Sequence, residues 1–333
     1  MSELVIPEGA CCPRCRSELR ISAMAGRDLL VCTDPSCVYA RDGFPVVRGQ
    51  PVLIDFDASI FDRASFLRSA GESIIPRDET KRSFRQRARR VLYGRNRVAI
   101  DNARILLAEL RRSGGRRVLV VGGGELGDGI ADISREPDVE VVGTDVYLSR
   151  FTQLAADGHR LPFKDGSFDG VWVQAVLEHV LEPWVVASEI GRVLKDGGLV
   201  YADTPFMQQV HEGAYDFTRF SVSGHRWLFR GFDEIGSGAV GGAGTALLWS
   251  LRYFVRSLVG SDKAATVATV PFFWLRFFDR LTRGRPNEDA ASGVFFLGMK
   301  SRDQVRPKDM VAFYETREAR RRSVAADPAA RSA

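Results

Sequence analysis

Apolar positions along the chain change their spacing twice. Residues 1–58 give short alternating runs broken by turn formers, the pattern of a small, loop-rich module. Residues 59–115 read as mostly helical and basic. Within them, 98–110 (VAIDNARILLAEL) repeats apolar residues at helical spacing and stops at Ser113-Gly114-Gly115. From Arg117 onward, Val-rich runs (RVLVVG, VEVVGTD, FDGVWVQ, GLVYADT) alternate with helical stretches. Apolar strands separated by helices predict an α/β fold, with a parallel sheet covered on both faces. Residues 239–292 read as a Gly-rich loop followed by two aromatic, amphipathic stretches, and 294–300 as a late strand. Residues 301–333 are charged, then Ala-rich, and read as a partly ordered tail.

Composition sharpens this in two places. With 333 residues, 45% of them hydrophobic, the chain can bury a core larger than one small module needs. The net charge of +5 is mild, but 77–117 holds 14 Lys and Arg against 4 Asp and Glu. That block suits either a solvated helix face or an anionic partner such as RNA or a membrane surface. All five cysteines fall between Cys11 and Cys37. A disulfide-stapled secreted fold would spread them, so the cluster points to a local metal site in a reducing compartment. No basic-then-apolar leader opens the chain, and no stretch nears the ~20 apolar residues that span a bilayer. The expected location is the cytoplasm.

Residues 117–127 (RVLVVGGGELG) run a buried strand into Gly122-x-Gly124-x-x-Gly127. Glycines let such a turn close tightly and bring backbone N–H groups to a ligand at the N-terminus of the following helix. Twenty-odd residues on, VEVVGTD ends in Asp145, an acid placed to accept two ribose hydroxyls. A dinucleotide dehydrogenase would share these features. The stretch 156–180 (ADGHRLPFKDGSFDGVWVQAVLEHV) separates the two. It resembles the class I S-adenosylmethionine-dependent methyltransferases of the widespread small-molecule type, with the resemblance covering 117–203. The resemblance implies a doubly wound, mostly parallel seven-stranded sheet over 116–300, interrupted by the amphipathic insertion at 239–292. It implies that Gly122 and Gly124 contact the methionine part, Asp145 the ribose and Asp157 the adenine amino group, with Gly127 in the same cofactor-binding turn and Gln174 facing the cofactor. The chain departs from the pattern at Val120, where such families place an acid, and at Gly123. Only 11 residues separate Asp145 from Asp157, so the second helix should shrink to a turn near 147–150.

Cys12-Pro13-Arg14-Cys15, then Cys32 and Cys37, are two close pairs separated by 16 residues, suited to a tetrahedral thiolate site for structural zinc. Cys11 competes with Cys12, which has the better spacing to Cys15. The run GFPVVRGQPVLI (43–54) resembles the zinc-ribbon proteins that accompany or activate methyltransferases. On the acceptor side, 205–220 (PFMQQVHEGAYDFTRF) should be the loop over the transferable methyl group. A hydroxyl acceptor needs a base, for which His211 is the first candidate and His179 the second. Asp216 and Arg219 read equally as an ion pair shaping the loop and as a substrate contact. The segment resembles methyltransferases of surface-glycan synthesis, so a small-molecule or glycan acceptor leads. An RNA base methyltransferase and a non-catalytic cofactor-binding scaffold are the alternatives. The aromatic stretches 246–255 and 270–281 read as core, as a dimer face, or as peripheral membrane contact with a lipid-linked acceptor.

Overall fold

The computed structural model describes residues 4–24, 27–72, 95–281 and 284–316. The first part of the basic block at 77–117, namely 77–94, therefore lies outside the described residues, as does the end of the tail from 317 onward.

The first four strands are β1 (Leu19–Met24), β2 (Arg27–Cys32), β3 (Phe44–Val47) and β4 (Gln50–Leu53), with the short helix α1 (Val38–Asp42) after β2. They form an antiparallel meander. Arg48 and Gly49 both take positive φ between β3 and β4, the backbone that a two-residue hairpin matching the strand twist requires. A short helix α2 (Arg63–Arg68) follows, capped by Asp62 accepting from Ser65 N at 2.8 Å.

The helix foreseen at 98–110 is α3 (Arg97–Ser113). Asn96 caps its start by accepting from Ala99 N at 3.0 Å, and Gly114 ends it in the left-handed conformation. Its buried stripe of Ala99, Ala103, Leu106 and Leu110 packs on Val118, Val120 and Trp172 of the sheet. It therefore forms a layer of the fold.

Beyond it come β5 (Arg117–Val121), α4 (Ile130–Ile133), β6 (Glu140–Asp145), β7 (Leu154–Ala156), β8 (Phe168–Gln174), α5 (Pro183–Val193), β9 (Leu194–Pro205), α6 (Val222–Leu228) and β10 (Phe232–Gly241). The insertion α7 (Ala243–Val259), α8 (Asp262–Thr269) and a 3-10 helix (Val270–Arg280) follows, then α9 (Arg285–Asp289) and β11 (Gly293–Lys300).

The strand order is β1-β2-β3-β4-β7-β6-β5-β8-β9-β11-β10. The expected seven strands lie in it as β7-β6-β5-β8-β9-β11-β10, but the sheet is mixed and has eleven among the described residues. Two causes account for the difference. β11 runs antiparallel to both β9 and β10. The N-terminal meander joins the same sheet, since β4 pairs in parallel with β7 through Val52 opposite Ala155 and Leu53 opposite Ala156. The cores merge as well: Cys12, Leu30, Phe44 and Leu53 pack in one cluster with Leu119, Leu154, Phe163 and Val173. No helix stands between β6 and β7, as their close spacing predicted. The start of the stretch expected to be a Gly-rich loop, 239–241, is strand instead, because β10 pairs with β11 as far as Gly241 opposite Gly293.

No described helix is long and apolar enough to cross a membrane. The insertion nevertheless exposes Leu247, Phe254, Leu258, Val267, Phe272, Phe273 and Trp274 to solvent.

Candidate functional site

Parallel strands deliver their C-terminal ends to one edge of the sheet, and chemistry collects where the strand order reverses. Here that edge carries the Gly122 turn after β5, Asp145 at the end of β6, Asp157 just beyond β7 and Gln174 at the end of β8. The structure brings all of these residues together.

The turn is tightly packed. Gly122 has φ 75°, and a Cβ there would stand 2.1 Å from Val176 Cγ2. A Cβ on Gly124 would strike the Tyr147 ring, and one on Gly127 would lie 2.6 Å from Gln174 Oε1. Asp145 holds the turn in place, accepting from Gly124 N at 2.8 Å and Val146 N at 2.7 Å. Asp157 is buried. It accepts from Ser59 Oγ at 2.6 Å and from His159 Nδ1 at 2.6 Å. Burial alone would raise its carboxyl, but these hydrogen bonds outweigh it and hold the group below the usual carboxylate range. Val120 faces the core, 5% exposed, so the acid missing there is replaced by packing against α3.

A carboxylate that sequence reasoning missed stands two strands away. Asp203, in β9, is buried and accepts from Tyr201 Oη (2.9 Å), Gln174 Nε2 (2.9 Å), Asn96 Nδ2 (3.3 Å) and Ala175 N (3.2 Å). Its only trace in the sequence is an acid near the end of an apolar strand, YADTP. Burial pushes its carboxyl up to about 6, against the hydrogen bonds. The folded state therefore keeps a proton that the unfolded chain, near 3.8, releases. The contribution is fully present below about pH 4 and is lost as pH rises through about 6, roughly 3 kcal/mol for a two-unit shift. Denaturant unfolding should show Asp203→Asn gaining about that much on the wild type between pH 4 and pH 7.

Gln174 and Asp203 floor a cavity of about 1220 Å³. Glu178, His211 and Glu212 wall one side, and Trp249, Arg252, Tyr253 and Lys263 of the insertion face them. The insertion is tied to the β9–α6 loop by Tyr253 Oη donating to Val210 O at 2.7 Å and Gln209 Nε2 donating to Ser250 Oγ at 3.1 Å. Asp216 and Arg219 form the loop-shaping ion pair. The same guanidinium also donates to the carbonyls of Gln208, Gln209 and Thr218. Against its burial, Arg219 holds the Asp216 carboxyl down to about 2. His179 and His211 meet at this loop with ring centroids 5.0 Å apart. Glu178 beside them was legible only as the first half of a Glu-His pair, and its burial was not.

The four thiols Cys12, Cys15, Cys32 and Cys37 gather with their sulfurs within 4.8 Å of one another, and Cys11 stays outside the group. The pairs Cys12–Cys37 (3.8 Å) and Cys15–Cys32 (3.3 Å) are too long for disulfides, and all five cysteines are free. Such spacings suit thiolates about 2.3 Å from a shared tetrahedral ion. Burial pushes Cys32 up to about 11 and raises Cys12 as well. Hydrogen bonds from Ser17 and the neighbouring thiols overcome burial at Cys15 and bring it to about 7. The module also reaches toward the cofactor edge. Buried Asp55 takes Tyr39 Oη (3.1 Å) and Arg14 (3.4 Å) from its own side and Arg160 (2.9 Å) from the loop carrying Asp157.

Comparison with known proteins gives matches over part of the chain. Residues 131–202 match the family model described as "Methyltransferase domain". An uncharacterized methyltransferase of Mycobacterium sp. (strain JLS) is 37% identical over 94 residues, 26% of this chain and 37% of that protein. One of Mycobacterium avium (strain 104) is 35% identical over 118 residues, 31% of this chain and 46% of the relative. The chain thus spans less than half the length of these curated relatives. Among solved structures, phosphoethanolamine N-methyltransferase 2 of Haemonchus contortus aligns at 19% identity and a TM-score of 0.42, over 73% of this chain and 61% of that one. Over 131–202 the chain is thus similar to a methyltransferase domain.

Proposed function

We propose that the protein transfers a methyl group from S-adenosylmethionine to a small-molecule or glycan acceptor held in the cavity beside Gln174 and Asp203. The observation that carries this reading is the convergence of the Gly122–Gly127 turn, Asp145 and Asp157 at the ends of three adjacent strands, on the same edge as that cavity. Gly122, Gly124 and Gly127 would hold the methionine portion, Asp145 the ribose hydroxyls and Asp157 the adenine amino group, with Gln174 between cofactor and acceptor. The bound cofactor supplies an electrophilic methyl on a sulfonium. The protein's part is alignment of the acceptor with it and removal of the acceptor's proton. His211 lines that cavity, with His179 beside it. Cys12, Cys15, Cys32 and Cys37 would hold a structural zinc. All four ligands come from the chain, so that ion has no open position for catalysis.

A lipid-linked glycan is the second reading. It is favoured by the exposed aromatic residues of the insertion, which borders the same cavity. The test is incorporation of labelled methyl from S-adenosylmethionine into soluble glycan, lipid-linked glycan and RNA fractions. Label in a glycan fraction is the expected result. Label confined to RNA, with salt-sensitive binding, would replace the acceptor class. A folded, cofactor-binding protein that labels no fraction would favour the scaffold reading.

A further inference from the structure

The turn after β8 and the loop after β9 bring Glu178, His179 and His211 together, with one ligand atom of each within 4.8 Å of the others. Their neighbours sort the donor atoms. His179 Nδ1 lies 2.7 Å from the Tyr215 carbonyl oxygen, which can only accept. Nδ1 therefore carries the hydrogen, and Nε2 presents its lone pair 3.5 Å from Glu178 Oε1. His211 Nδ1 likewise faces acceptors, the Asp216 carboxylate at 3.2 Å and the Gln209 carbonyl at 3.4 Å, which leaves its Nε2 open. An imidazole whose outer N–H is held by a carbonyl or carboxylate is oriented as metal-binding histidines are.

Glu178 supplies the independent observation. Its side chain is fully buried, lines the cavity, and has no hydrogen-bond partner for either carboxylate oxygen among the described residues. A buried acid with both oxygens unpaired, beside two imidazole lone pairs, lacks positive charge; one cation would satisfy all three groups.

We propose that Glu178, His179 and His211 bind a divalent transition-metal cation in the cavity wall, and that this cation takes the acceptor's hydroxyl. Two imidazoles and one carboxylate suit Mn, Fe, Co, Ni or Zn better than Mg or Ca. Three protein ligands leave positions open toward the cavity. A hydroxyl bound there is more acidic and loses its proton to solvent. Its oxygen then forms the bond to the methyl carbon as the carbon–sulfur bond breaks. That bond's electron pair stays on sulfur, which passes from sulfonium to neutral thioether. The histidines thus serve as ligands rather than as bases. The role in acceptor binding rests on the methyl-transfer reading, whereas the metal site does not. The competing arrangement is a Glu178 that keeps its proton, since burial pushes its carboxyl up to about 8, and points it at His179 Nε2.

Full-length protein with its cysteine cluster loaded with zinc should be titrated with Mn2+ by electron paramagnetic resonance and with Co2+ by visible absorption. The expected result is one further equivalent without thiolate-to-metal bands, weakened at least tenfold by Glu178→Gln and by His211→Ala while zinc content holds. His211 is partly exposed, so its substitution spares the core. Uptake of neither ion beyond the thiolate site, or uptake unchanged in both variants, overturns the site. S-adenosylmethionine binding measured on the same samples keeps the two readings apart. Metal uptake without cofactor binding supports the site and defeats the methyl-transfer reading; the converse does the reverse.

Discussion

Removing the metal from Cys12, Cys15, Cys32 and Cys37, by chelation or by Cys32→Ser, is expected to lower the thermal midpoint of the whole protein by at least ~10 °C. Structural zinc supplies roughly 10–16 kcal/mol of apparent binding energy in small thiolate modules, most of it realised as folding. In this protein the loss should not stay local. Cys12, Cys32 and Cys37 belong to the same buried cluster as Leu119, Val121 and Leu154. β4 closes the edge beside β7, whose chain continues into Asp157. Ser59, just past the module, donates to Asp157, so a loosened module also disturbs the adenine contact. Weaker cofactor binding should therefore accompany the lower midpoint, read by calorimetric titration below the new transition. A melt indifferent to chelator would mean that the thiols are a reduced cluster without a structural ion.

Asp145→Ala is expected to weaken S-adenosylmethionine binding about 100-fold while leaving the melt within a few degrees of wild type. Two hydrogen bonds from ribose hydroxyls to a carboxylate are worth roughly 1.5–3 kcal/mol each, partly offset by desolvation of a half-exposed group. The variant also frees Gly124 N, which Asp145 accepts at 2.8 Å, so the turn that meets the methionine portion loosens with it. Asp145→Asn keeps an acceptor for one hydroxyl and should fall between the two.

What could be read from the sequence was whatever depends on local periodicity and short spacing. Val-rich runs such as 117–121 read as buried strands, and 98–110 has helical spacing followed by the stop signal Ser113-Gly114-Gly115. The 11-residue gap between Asp145 and Asp157 left no room for a helix, and none formed. The distribution of cysteines pointed to the group that assembles, with Cys12 in it and Cys11 outside.

What was missed depends on contacts between distant segments. Nothing in 50–53 announces that it will pair with 154–156, because an edge strand is chosen by shape and by a free neighbour rather than by its own pattern. The Asp203 network draws Asn96, Gln174 and Asp203 from three elements, one pair 107 residues apart. Burial of Glu178 follows from the β9–α6 loop folding over it, where Phe217 N and Thr218 N donate to its backbone carbonyl at 2.8 and 3.2 Å. The Gly-rich start of 239–292 misled for a related reason. Local composition favours a loop, but pairing with β11 supplies hydrogen bonds that the composition cannot reveal.

The central claim is that the edge formed by Gly122, Gly124, Asp145 and Asp157 is a site for S-adenosylmethionine. Isothermal titration of folded, zinc-loaded protein with S-adenosylmethionine and with its demethylated product tests it most directly. One site per chain is expected for both ligands, weakened together in Asp145→Ala. A well-folded, zinc-loaded protein that binds neither ligand would contradict it.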